Sequence, residues 1–315
     1  MEGRELRGLQ AAVVAYAGWG LLTIYWKQLT GFDALELIGW RVASACLVML
    51  AIATALGRTR RLVTAFRQRR VAGRLALASL LLTVNWTTYV WAVVNDRVIE
   101  TALGYFLAPL GTMALGVLVL GERLTPLKRW SIACAGVAVV VLTVSYGRMP
   151  WVALLLAGTW SWYGLTKRRV PLDPIDSLTS ELLVLFVPAL GLVALGFVRA
   201  DGIPSQAVGA DWALLVGTGV ITAAPLLLFA FAAQRVPFTL LGPANYLVPL
   251  INFLLGWLIY GEALPTSRVI GFALVWTALV LVTIDTLRRE LERRRQRALT
   301  SEPSKKRSST STAAV

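Results

Sequence analysis

Long apolar runs alternate with short polar clusters along almost the whole chain. Ten such runs stand out, at roughly 9–26, 34–56, 74–94, 99–120, 127–145, 149–165, 175–198, 211–233, 239–260 and 268–286. A helix needs about 20 mainly apolar residues to cross a bilayer, and each run approaches that length. Transmembrane β-strands alternate polar and apolar positions over about ten residues, whereas 131–144 is apolar on nearly every side. The pattern therefore predicts an all-α, polytopic membrane protein with ten transmembrane helices.

One apolar segment occurs twice. YFLAPLGTMALGVLVLGERL at 105–124 and NYLVPLINFLLGWLIYGEAL at 245–264 share nine of twenty positions, including Pro109/Pro249, Gly116/Gly256 and Gly121-Glu122/Gly261-Glu262. The offset is 140 residues. Upstream, Arg97-Val98 with 101–104 matches Arg235-Val236 with 239–242, and Lys27 matches Lys167. The offset divides ten runs into two sets of five. Five is odd, so the second set enters the membrane inverted, a plan common in secondary transporters that bind substrate near the midplane between the halves. The expected organisation is an N-terminus at 1–8, a first five-helix repeat at 9–146, a second at 147–287 and a basic, disordered tail at 288–315.

Composition and charge sharpen this picture. The chain is 57% hydrophobic and 15% charged, with mean hydropathy +0.67, too apolar for a water-soluble domain. A net charge of +14 would suggest nucleic acid in a soluble protein. Here 25 of the 31 Lys and Arg residues fall on one side of the membrane, seven of them in 58–74 and nine in the C-terminal tail, and five on the other. That bias predicts both termini in the cytoplasm, a tail lying against anionic lipid, and no nucleic-acid partner. A cleavable leader is not expected, because the apolar run continues past Ala15-Tyr16-Ala17 to Ile24. Cys46 and Cys134 lie mid-run as small packing residues. The chain has no His, no phosphate-binding glycine loop and no acidic pair at metal-binding spacing, so no cofactor, no metal and no enzymatic activity are expected.

Ionisable residues at membrane depth are costly and are functional candidates by default. They are Glu36, Arg41, Glu100 and Glu181. Glu36 and Arg41 are about 140° apart around a helix, so Arg41 needs a partner from another helix. Glu100 is the attractive one, either as a structural ion pair or as a site for a proton or cationic substrate. Helical spacing places Asn245, Pro249, Asn252 and Gly256 on one face, with Tyr105, Pro109, Thr112 and Gly116 on the matching face of the first copy. The two prolines are expected to kink their helices. Tyr105, Asn245 and Asn252 line a cavity or bond between helices, and both remain open. In 85–95, Asn85 and Tyr89 share a face, as do Trp91 and Asn95. Trp86, Trp91, Trp160 and Trp162 lie deep enough to stack on an organic substrate or simply to fill the bundle. The Gly-Glu pairs are expected to end their helices at the headgroups.

The run NWTTYVWAVVNDRVIETALGYFLAPL, followed by GERL, MPW, WYGLTKR, LTSE, APLLLFA and GPANYLVP, resembles the EamA group of the drug/metabolite transporter superfamily, in its RarD branch. The resemblance covers nearly all of the membrane region and omits the tail. It implies a bacterial inner-membrane carrier for a small organic solute. It also implies Glu36, Arg41, Asn85, Trp86, Tyr89, Asn95, Glu100, Tyr105, Glu181 and Tyr246 as the residues to test. Trp40 and Arg97 stand where the family pattern leads one to expect His, and Asn245 where it leads to Gln. The function expected is secondary transport by alternating access. A passive channel and, further off, a lipid-modifying enzyme are the alternatives, and a homodimer is left open.

Overall fold

A computed structural model describes residues 3–121, 123–233, 235 and 245–301. Glu122, the copy of the repeat at 236–244 and the tail from 302 onward lie outside the described residues.

The described chain is helical, with no strand. α1 spans Gly3–Lys27, α2 Ala34–Ala55, α3 Thr59–Arg67, α4 Arg69–Val94, α5 Val98–Leu120 and α6 Pro126–Tyr146. The second half follows with α7 Trp151–Lys167, α8 Pro174–Val198, the single turn α9 Ile203–Gln206, α10 Ala210–Ala233, α11 Leu247–Leu254 and α12 Thr266–Ser301. A π-helical turn, Leu255–Ile259, continues α11.

Eight of these helices are long and apolar enough to cross a membrane. Two of the ten predicted runs fall short of that. The run at 149–165 forms the 17-residue α7, and of 239–260 the described part is helical only over Leu247–Ile259. The chain is an all-α, multi-pass membrane protein, and its exterior agrees with lipid as the solvent: Leu118, Val144, Val187 and Val198 point outward with no cover.

Helix starts repeat at the same offset as the sequence. Asp33 caps α2 by accepting from the N–H groups of Leu35 and Glu36, and Asp173 caps α8 by accepting from Ile175 and Asp176. Both satisfy N–H groups that a helix start leaves unpaired. Gly121 and Gly261 end their helices with φ of +65° and +64°, the left-handed conformation that glycine adopts without strain.

The pairing of helices is duplicated. α1 packs on α10 as α7 packs on α4, α5 packs on α7 as α11 packs on α1, and α2 packs on α10 as α8 packs on α4. Three further pairs, α2 with α8, α5 with α11 and α6 with α12, join repeat-related helices directly. One matched pair differs in extent where both helices are described: α2–α10 is more extensive than α8–α4. Glycine permits the closest approaches. A Cβ on Gly219 of α10 would lie 2.5 Å from the Ser44 carbonyl carbon of α2, and one on Gly104 of α5 would lie 2.8 Å from Leu156 Cβ of α7.

The two prolines behave differently. Pro109 sits inside the continuous α5. Pro249 is the third residue of α11, within the first turn, where its missing N–H would have had no helical partner. The helix kink expected at Pro249 is therefore not formed. Asn245 and Tyr246 occupy the turn before α11 rather than the helical face shared with Asn252.

Candidate functional site

The bundle has two ends. The basic end holds α3, the start of α4 and the start of α8; the opposite end holds the end of α1, the start of α2 and the turn between α4 and α5.

Glu100 and Glu181 are fully engaged, and Glu36 only in part, its Oε1 having no hydrogen-bond partner among the described residues. At the opposite end, Glu36 accepts from Ile203 N–H at 2.8 Å and lies 3.4 Å from an Arg199 nitrogen. Glu100 does not reach Arg41. It pairs with Arg148 Nη2 at 2.7 Å and accepts from Val152 N–H at 3.2 Å. Each carboxylate thus sits at a helix start, where exposed N–H groups and the helix dipole favour negative charge. Glu181, on α8 toward the basic end, is fully buried. It accepts from Lys167 Nζ at 2.6 Å, Ser177 Oγ at 3.0 Å and Tyr163 Oη at 2.9 Å.

Arg41 is treated otherwise. It is 4% exposed and stands about 10 Å along α2 from its start. Its guanidinium lies 4.0 Å over the Trp86 ring and 5.3 Å from the Trp26 ring, and Nε donates to Thr222 Oγ1 at 3.2 Å. Among the described residues, Nη1 has no hydrogen-bond partner and no carboxylate forms an ion pair with it.

Polar side chains from α1, α4, α5 and α11 meet in the same region. Thr23 Oγ1 lies 2.8 Å from Tyr89 Oη and 2.9 Å from Asn252 Oδ1, and the rings of Tyr89 and Tyr105 are 6.0 Å apart. Tyr105 donates to Asn85 Oδ1 at 3.3 Å, and Asn85 Nδ2 donates to Thr159 at 2.9 Å and to the Leu156 carbonyl at 3.1 Å. Asn252 Nδ2 is buried without a partner. Trp160 stacks edge-on to Tyr105 and continues to Tyr163. Asn95, by contrast, bonds its own helix at the Trp91 carbonyl, and Tyr246 packs among the apolar side chains of α5, α6 and α12. The structure thus gathers Arg41, Asn85, Trp86, Tyr89, Tyr105, Trp160 and Asn252, and leaves Asn95, Tyr246 and the three glutamates outside the cluster.

The model of the EamA-like transporter family matches the chain twice, at residues 6–144 and 148–284. This chain belongs to the EamA-like transporter family. Within it, the chain is of the RarD type: it is 41% identical to Protein RarD of Streptomyces exfoliatus over 288 residues, 91% of each chain. It is also 35% identical to the uncharacterized transporter YojE of Bacillus subtilis, over 90% of this chain and 95% of that one. A chain described as "Crystal structure of protein" superposes with a TM-score of 0.56 at 20% identity, covering 88% of this chain and 97% of its own, which supports the fold alone.

Several members of the site lay hidden in this EamA chain's sequence. Thr23, Trp26 and Thr222 carry no charge pattern or motif of their own, and Tyr163 and Lys167, although within WYGLTKR, gave no sign that they face Glu181; Thr23/Tyr163 and Lys27/Lys167 are 140 apart, as are Arg41/Glu181. Glu262 does more than end a helix at the headgroups. Its carboxylate accepts from Val98 and Ile99 N–H at 2.5 and 2.9 Å, across the start of α5. A Cβ on Gly256 would lie 2.7 Å from Ile99 Cγ1, so α11 rests directly on α5 there. Beside it, Lys27 pairs with Asp96 and stands 4.9 Å over the Tyr260 ring. These contacts form a seal joining α1, the turn before α5, the start of α5 and the end of α11 at the opposite end. Glu122, the repeat mate of Glu262, lies outside the described residues.

Proposed function

We propose that the chain is a secondary transporter that moves a small organic solute by alternating access of two inverted repeats. The observation that carries this is the inequality between matched helix pairs, with α2–α10 more extensive than α8–α4. An inverted duplication has two arrangements of equal construction, and exchanging the roles of the repeats turns one into the other. Small differences at packed interfaces then separate two discrete states. The seal of Glu262 on α5 closes the opposite end in the arrangement described.

The charge asymmetry supports a bacterial inner membrane with the basic end in the cytoplasm. The tail beyond α12 meets anionic lipid there. The polar and aromatic cluster around Arg41, Tyr89, Tyr105 and Asn252 is the solute site.

The test begins with metabolite pools of null and complemented cells, to select solutes whose inside-to-outside ratio follows the protein. Purified protein in liposomes is then loaded with such a solute. Saturable uptake, accelerated by solute on the far side, is the expected result. Uptake that rises linearly with concentration and ignores the far side would identify a pore instead.

A further inference from the structure

We infer that Arg41 docks the anionic group of the transported solute, making the substrate class an organic carboxylate with an apolar or aromatic body. This rests on the transport function proposed above and specifies its substrate. The supporting facts concern charge balance at depth. Glu100 and Glu181, the buried glutamates a cationic solute would use, are already matched by Arg148 at 2.7 Å and Lys167 at 2.6 Å, while Glu36, at the opposite end, lies 3.4 Å from half-exposed Arg199 and keeps Oε1 without a hydrogen bond. The unmatched charge at depth is positive. Arg41 keeps Nη1 without an acceptor, and Asn252 Nδ2, linked through Thr23 to Tyr89 beside it, is a second donor without one.

Leaving a buried donor unpaired is unfavourable, and more so for a charged group. Two such donors facing one cluster are therefore met by a ligand that brings acceptors. A carboxylate offers two oxygens without any proton, and guanidinium binds it by charge-assisted bonds. Trp86, at 4.0 Å from the guanidinium, holds the cation in place by its ring face. Tyr105 and Trp160 supply apolar surface for the rest of the solute. Arg41 is 4% exposed, so the anion needs a rearrangement of the bundle to enter or leave, for which release of the Glu262 cap on α5 is the movement to test.

The experiment uses full-length protein in lipid nanodiscs with matched acid and amide probes: phenylacetate with phenylacetamide, indole-3-acetate with indole-3-acetamide, and hexanoate with hexanamide. Binding is read by tryptophan fluorescence and thermal unfolding. At least one acid should bind wild type tenfold more tightly than its amide, and Arg41→Gln should erase that preference while Arg41→Lys retains part of it. Without probe, Arg41→Gln should unfold at the wild-type temperature or above it, as expected when an unpaired buried charge is removed. The inference is overturned if no pair separates in wild type, if Arg41→Gln keeps the separation, or if the unliganded variant unfolds more than about 5 °C lower, beyond the shift that about 1 kcal/mol produces in a chain of this size. Liposome exchange of a neutral solute together with equal binding of every pair would leave transport standing and remove the anion site. Arg41-dependent acid binding without exchange would do the reverse.

Discussion

Arg41 and Glu181 occupy the same position in the two repeats, 140 residues apart, and the fold treats them in opposite ways. Glu181 is fully buried and enclosed by Lys167, Ser177 and Tyr163. Arg41 is equally deep, yet its partners are the two indole faces and one threonine. The difference begins fourteen residues upstream. Lys167 faces Glu181 as its counter-ion, whereas Lys27, in the matching place, bears the same charge as Arg41 and turns to Asp96. A duplicated frame can therefore carry unduplicated chemistry, with one copy spent on a structural ion pair and the other left open. Neutralising both charges of a buried pair is often tolerated, but orphaning one of them is not.

The largest expected effect comes from making the second repeat resemble the first. Glu181→Ala orphans Lys167 and should destabilise the protein by about 3 kcal/mol, at the lower end for a broken buried pair because Lys167 is partly exposed. Thermal unfolding in detergent measures this, and adding Lys167→Met should restore most of the loss. If Glu181→Ala proves harmless while Arg41→Gln is severe, the contrast between the two sites is reversed.

A smaller effect tests the unequal packing. Gly219→Ala places a methyl against the α2 backbone at Ser44 and should cost about 1–3 kcal/mol. Its stability loss should exceed that of Gly136→Ala on α6, where an added Cβ meets nothing.

The seal can be examined alone. Glu262→Ala removes both acceptor oxygens from the Val98 and Ile99 N–H groups at the start of α5 and should weaken closure by about 1 kcal/mol. With Cys46 and Cys134 replaced, a Thr23→Cys probe should then react with an impermeant maleimide about fivefold faster. An unchanged rate would show that Glu262 does not hold the opposite end shut.

The smallest effect is one of pH. Burial raises the Glu262 carboxyl above its ordinary 4.5, against the lowering influence of the Ile99 and Val98 N–H groups and Lys27, with Asp96 adding to the rise. The sealed form therefore binds a proton more tightly than a form with Glu262 in water. Its contribution to closure is complete below the ordinary value and is lost as pH rises through the raised one. Acidification should slow labelling at position 23, and Glu262→Gln should abolish that dependence.

Much of the architecture was legible from residue order. The apolar runs gave the helices, the 140-residue echo gave the repeats, and Asp33 and Asp173 marked matching starts. Pro249 misled because a mid-run proline reads as a kink until the helix start is known to lie at Leu247. Glu100 misled for a similar reason. Its depth suggested Arg41, but its place in the first turn of α5 set it against Arg148 and the start of α7.

Sequence by itself determined what depends on local composition and period: helices, membrane burial, charge bias and the duplication. Only the tertiary structure decided which buried charges cancel. That depends on distances of a few ångströms between helices far apart in the chain, and electrostatic interactions in a low-dielectric interior change steeply over such distances. Residue types at positions 41, 100 and 181 announce charge. Their neighbours across the bundle determine that two of them are neutralised and that Arg41 is not.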